Sequence, residues 1–148
     1  MIAYVLLLTF LCCNEAWNPG TAWQSQSAFA AIKTDGSLVV WGSSQYGGAG
    51  VPTGLNVKIV FSCTNSMVAL KTDGTVVRWG YTYAGSTAIP STLNNVKFIY
   101  SNSAAYVALT NDNNIFGFGL NSYGGSVPSG VNNVKVVYST CCAFAAVK

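Results

Sequence analysis

The chain has 148 residues, of which 51% are hydrophobic and only 7% charged, with a net charge of +3 and no histidine. That length suits one domain with a core of its own. Without histidine, no Ser-His or Cys-His arrangement can be assembled. The carboxylates are Glu15 and three Asp at repeat spacing, Asp35, Asp73 and Asp112. They fall on different structural units, so no enzyme activity is expected.

In chain order, Ile2 to Cys13 form an apolar run followed by a more polar stretch to Gly20. Its length fits the core of a signal peptide and falls short of a membrane span. No Lys or Arg precedes it, and Ala16 would have Asn14 at the minus-three position of a cleavage site. Two readings of 1–16 therefore stand: a leader, which makes the protein secreted or extracellular, or an extra strand of a cytoplasmic protein. No stable membrane span is expected.

From residue 17 onward the chain repeats itself. The segment 33–42, Lys-Thr-Asp-Gly-Ser-Leu-Val-Val-Trp-Gly, returns at 71–80 as Lys-Thr-Asp-Gly-Thr-Val-Val-Arg-Trp-Gly and at 110–119 as Thr-Asn-Asp-Asn-Asn-Ile-Phe-Gly-Phe-Gly. A period of this size marks a repeat architecture. Each copy reads as a hairpin, near 28–42, 66–80 and 105–119, with an incomplete fourth at 143–148. Asp-Gly suits a two-residue type I′ turn, and Asn113 replaces Gly as the next residue most tolerant of positive φ. In that register Thr72 faces Thr75, Leu70 faces Val77 and Val68 faces Trp79. Both faces of each hairpin are apolar near the middle, which predicts sheets sandwiched between neighbours.

A third strand precedes each hairpin, as in 57–62, and the connectors carry Tyr46, Tyr83 and Tyr123 before Pro52, Pro90 and Pro128. The expected fold is all-β, a propeller-like array of about three three-stranded antiparallel blades plus an incomplete fourth, open or partial. Copy one offers only Ala22-Trp23 for its first strand. The unfinished edge at 143–147 is a candidate for self-association, unless residues 3–9 complete that sheet.

The segment 28–42, Ala-Phe-Ala-Ala-Ile-Lys-Thr-Asp-Gly-Ser-Leu-Val-Val-Trp-Gly, resembles the regulator-of-chromosome-condensation (RCC) repeat superfamily. It is similar in particular to the short three-stranded blades of the propeller-type β-lactamase inhibitory protein II. The resemblance covers residues 23–148 and recurs in every unit. WD repeats fit less well, since Gly follows the Trp, and kelch repeats have a longer period. What the resemblance implies is a propeller that recognises a partner through rim loops; it does not carry the partner.

Other chemistry finds little support in the residues. Five cysteines without a Cys-x-x-Cys pair, and Asn111 to Asn114 without a spaced acidic loop, do not suggest a metal. Cys63 and Cys141 fall two units apart, about 20 Å for sheets stacked about 10 Å apart, too far for a disulfide. Cys142 is the expected reactive thiol if exposed. The glycines at 47–50 lack the helix and Lys of a phosphate loop. The lysines follow the repeat and form no basic stripe for nucleic acid.

No cofactor is expected, and the partner is an unknown protein. The candidate contact residues are Tyr81 and Arg78, which depart from the repeat and are types enriched in binding hot spots, together with Tyr46, Tyr83 and Tyr123. The reading is a non-catalytic protein-binding module. The alternatives are an exchange-regulator-like intracellular scaffold or a truncated structural fragment.

Overall fold

The computed structural model describes residues 27–148. The N-terminal run, Glu15, Cys12, Cys13 and Ala22-Trp23 lie outside the described residues, as do the leader and extra-strand readings. The described part is all-β. Its strands are β1 (Ala28–Ile32), β2 (Leu38–Gly42), β3 (Val57–Ser62), β4 (Ser66–Lys71), β5 (Val76–Gly80), β6 (Ser86–Thr87), β7 (Val96–Ser101), β8 (Ala105–Thr110), β9 (Ile115–Leu120), β10 (Val136–Ser139) and β11 (Phe144–Val147). Single 3-10 turns at Ser44–Tyr46 and Asn121–Tyr123 open two of the connectors.

Four antiparallel sheets follow one another as blades: β1-β2, β3-β4-β5, β6-β9-β8-β7 and β10-β11. The third blade gains a fourth strand that the repeat count does not predict. Connector residues Ser86 and Thr87 pair with Leu120 and Gly119 along the edge of β9.

The hairpin turns differ from the type I′ expectation, and the difference moves the register by one residue. Lys71 N–H donates to Thr75 O at 2.9 Å and Gly74 N–H to Lys71 O at 3.1 Å. Gly74 has φ +79° while Asp73 is not in the left-handed region. The loop is therefore Thr72-Asp73-Gly74, a turn closed by one left-handed residue. The Asp73 carboxylate stabilises it by accepting from Thr75 N–H at 2.9 Å and Thr75 Oγ1 at 2.7 Å. Asp35 treats Ser37 in the same way. Asn113 takes φ +60° in the third copy, the role expected of it.

A slip of one residue turns side chains to the opposite face. Leu70 accordingly pairs with Val76, Val68 with Arg78 and Met67 with Trp79, not the partners the two-residue loop implies. The corrected register makes the packing intelligible. Met67, Ala69 and Trp79 face the first blade and pack with Ala28, Ala30, Leu38 and Val40. Val68, Leu70 and Val76 face the third blade and meet Ile99, Tyr106, Ala108 and Phe118. The other side of the third blade, Val107, Leu109 and Ile115, packs on Val134, Val137 and Phe144. Blades two and three are thus buried on both faces, which is why both of their faces are apolar.

The Gly that closes each Trp-Gly or Phe-Gly pair has a steric cause. Gly119 has φ +104°, and a Cβ there would sit 2.7 Å from Ala105 Cα and 2.8 Å from Ala104 O. Only Gly lets the chain leave β9 this close to the turn that precedes β8.

Two hydrogen-bond seams join the blades at opposite ends. At the hairpin end, Val57 N–H donates to Gly36 O, Val96 N–H to Gly74 O and Val134 N–H to Asn113 O, at 2.9, 3.0 and 2.9 Å. At the other end, Thr64 N–H donates to Ser103 O at 3.1 Å and Ser103 N–H to Cys141 O at 3.2 Å. The second seam carries the candidate site.

Candidate recognition surface

The turns between first and second strands, 63–65, 102–104 and 140–143, lie at the end where β5 and β9 leave their blades. Chain direction alone brings the connector tyrosines there. Tyr81 N–H donates to Asn65 O at 2.9 Å, and Asn65 Nδ2 donates to the Tyr83 hydroxyl. Asn102 Nδ2 donates to Tyr123 O at 2.7 Å while its Oδ1 accepts from Ala104 and Ala105 N–H. Thr64, Tyr83, Ser103, Ala104, Leu120 and Tyr123 line a cleft of about 240 Å³ between the second and third blades.

Arg78 and Tyr81 do not line this cleft but join it through Tyr83. Arg78 Nη2 donates to Tyr81 O at 3.1 Å. The Tyr81 ring, 38% exposed, stands edge-on to Tyr83 at 5.0 Å. Burial, with smaller contributions from Cys63, Tyr123 and Tyr81, raises the Tyr83 phenol above its ordinary value, so it stays neutral in physiological solution. The surface offers aromatic rings, amides and one cation. It supplies no acid-base pair.

The structure therefore brings four of the five candidates, Arg78, Tyr81, Tyr83 and Tyr123, to one place. Tyr46 occupies the corresponding connector of the first blade, where it packs against the apolar layer between blades one and two. Sequence reasoning missed Asn65, Asn102, Ser103 and Leu120. The amide signal was present, since Asn and Ser recur in these turns, but only the tertiary structure shows them holding the connectors.

A deeper anchor lies beneath the cleft. Tyr106 is fully buried on the third blade, stacked on Phe118 at 5.3 Å. Its hydroxyl reaches the second blade, accepting from Cys63 N–H at 3.0 Å and donating to Ser66 O at 2.8 Å. Burial first, then the neighbouring Cys63, pushes this phenol well above its ordinary range. Tyr106 is a neutral bolt between blades.

No protein-family model matches the chain, and no curated protein matches it. Solved structures do. The yeast RCC1 protein Prp20 in its complex with Kap60 superposes with a TM-score of 0.55 at 16% identity, covering 76% of this chain and 36% of Prp20. Prp20p from Saccharomyces cerevisiae, in the study of its binding to Gsp1p and histones, gives a TM-score of 0.55 at 20% identity with the same coverage. The described residues share the fold of part of these RCC1 structures. This chain spans about a third of the length of the Prp20 structures it matches. The described residues form four separate sheets, and no closed barrel forms among them. Among those residues no helix is long and apolar enough to cross a membrane.

Proposed function

We propose that this chain is a non-catalytic protein-binding module of an RCC-type repeat array, recognising its partner through the rim loops around Tyr81. The observation that carries this reading is that Tyr83 and Tyr123 line one cleft, with Tyr81 stacked edge-on against Tyr83 and Arg78 bonded to Tyr81 O. Arg78 and Tyr81 depart from the repeat, whereas Trp79 and Phe118, which follow it, are buried in packing. Exposed Tyr and tethered Arg are the types that carry interface energy at low ordering cost.

The RCC-type likeness favours a second reading, an exchange-regulator-like scaffold. Prp20p is described with Gsp1p and histones and, in its complex, with Kap60. Those three proteins are the first partners to test. Binding to immobilised full chain would be compared between wild type and a Tyr81→Ala/Tyr123→Ala variant of unchanged thermal midpoint. A loss of about tenfold or more supports the cleft as the contact surface. Full-strength binding by the variant moves recognition elsewhere. Selective binding of Gsp1p over histones and Kap60 would favour the regulator reading over the simple binding module.

A further inference from the structure

The turn of the fourth blade departs from the repeat. Its counterparts read Cys63-Thr64-Asn65 and Asn102-Ser103-Ala104, whereas here the chain has Thr140-Cys141-Cys142. Both thiols are exposed. Their Sγ atoms lie 2.8 Å apart, inside ordinary van der Waals separation and outside a disulfide bond. The turn is held open to solvent by Thr140, whose Oγ1 accepts from Ala143 N–H at 3.1 Å.

The geometry points to a vicinal dithiol at Cys141 and Cys142 that exchanges with low-molecular-weight disulfides and closes reversibly to a Cys141–Cys142 disulfide. One thiolate attacks a sulfur of the small disulfide RSSR and expels RS⁻, leaving a mixed disulfide on the protein. The second thiolate then attacks the protein sulfur and expels the other RS⁻. Two electrons pass to the small disulfide, two RSH leave with the protons of the two cysteines, and the chain is left with one S–S bond.

Proximity and strain set the character of this couple. Adjacent Cα atoms are about 3.8 Å apart across a trans peptide, below the roughly 4.4–6.8 Å that an unstrained disulfide spans. The ring is therefore easily reopened, as strained exposed disulfides are. The resolving thiol is already in contact, so the mixed disulfide is short-lived. The Cys141 thiol also raises Cys142 above the usual thiol value, which keeps Cys142 protonated near neutrality.

Closure has a structural consequence. Cys141 O accepts the Ser103 N–H bond that ties the fourth blade to the cleft. Twisting the 141–142 peptide into an eight-membered ring loosens that bond. The redox state of the turn is thereby coupled to Ser103, which lines the cleft.

The test uses the full chain in glutathione buffers of graded ratio, quenched in acid, alkylated and cut with trypsin. Cleavage after Lys135 releases 136–148, whose only cysteines are Cys141 and Cys142. The expected result is a peptide lighter by two hydrogens and closed to alkylation, reopened by excess thiol, with faster amide exchange at Ser103 in the oxidised chain. Cys141→Ser and Cys142→Ser should each stop at a stable glutathione adduct. Two freely alkylated thiols at every ratio overturn the proposal. So does a wild-type peptide that stays glutathionylated, or one linked to a peptide carrying another cysteine.

Discussion

Tyr106 shows how much one side chain decides. At the matching position the other blades have Phe29, Met67 and Phe144, all of which fill space without a hydroxyl. Tyr106 adds a polar link between the third blade and the turn of the second. Tyr106→Phe keeps the stacking on Phe118 and removes one of the two donors to Ser66 O, leaving the Cys63 N–H bond at 3.0 Å. The expected cost is about 1–2 kcal/mol, read as a lower urea midpoint with an unchanged slope. An unchanged midpoint would mean that the Cys63 N–H bond to Ser66 O at 3.0 Å suffices without the hydroxyl. The sequence carried no sign of this role, because an aromatic at that position reads as packing.

At the scale of the element, the Asp turns set both register and acid sensitivity. Bonds from the Thr75 hydroxyl and Thr75 N–H, and then Lys71, hold the Asp73 carboxylate down at about 2 against an ordinary 3.8. Asp35 is lowered in the same sense, chiefly by the Ser37 hydroxyl. A carboxyl depressed in the folded state protonates first in the unfolded chain. Its stabilisation is complete above about pH 4 and is lost as pH falls toward about 2. Urea midpoints of the wild type should fall through that window, and the fall should be shallower in an Asp35→Asn/Asp73→Asn variant. Equal slopes for the two proteins would remove these carboxylates from the acid response. The Asp-Gly pairs were legible as turns. Their three-residue form was not, since the choice rests on where the Asp side chain finds donors after the loop closes.

For the whole molecule, the described blades form an open sector. In the fourth blade β11 pairs only with β10 among the described residues, and Ala145, Ala146 and Val147 are exposed. An apolar, unpaired strand edge recruits another strand. The purified chain is expected to self-associate with rising concentration in light scattering, and Ala146→Lys to shift it toward monomer. Concentration-independent monomer in both proteins would exclude the edge as an assembly surface. Trp41, 49% exposed on the first blade, occupies the position at which Trp79 donates through Nε1 to Gly47 O at 2.9 Å. The difference between these two tryptophans is one of neighbours, not of local sequence.

Repetition by itself determined the all-β class, the presence of hairpins and the sandwiched character of the inner blades. Those features depend on local turn chemistry and on a pattern of apolar faces, both written in each copy. The tertiary structure alone decided the one-residue register, the fourth strand of the third blade and the gathering of Arg78, Tyr81, Tyr83 and Tyr123 around the Asn65 and Asn102 turns. These depend on which carbonyls and amides meet between blades, and a repeat whose copies look alike in sequence does not state what lies between them.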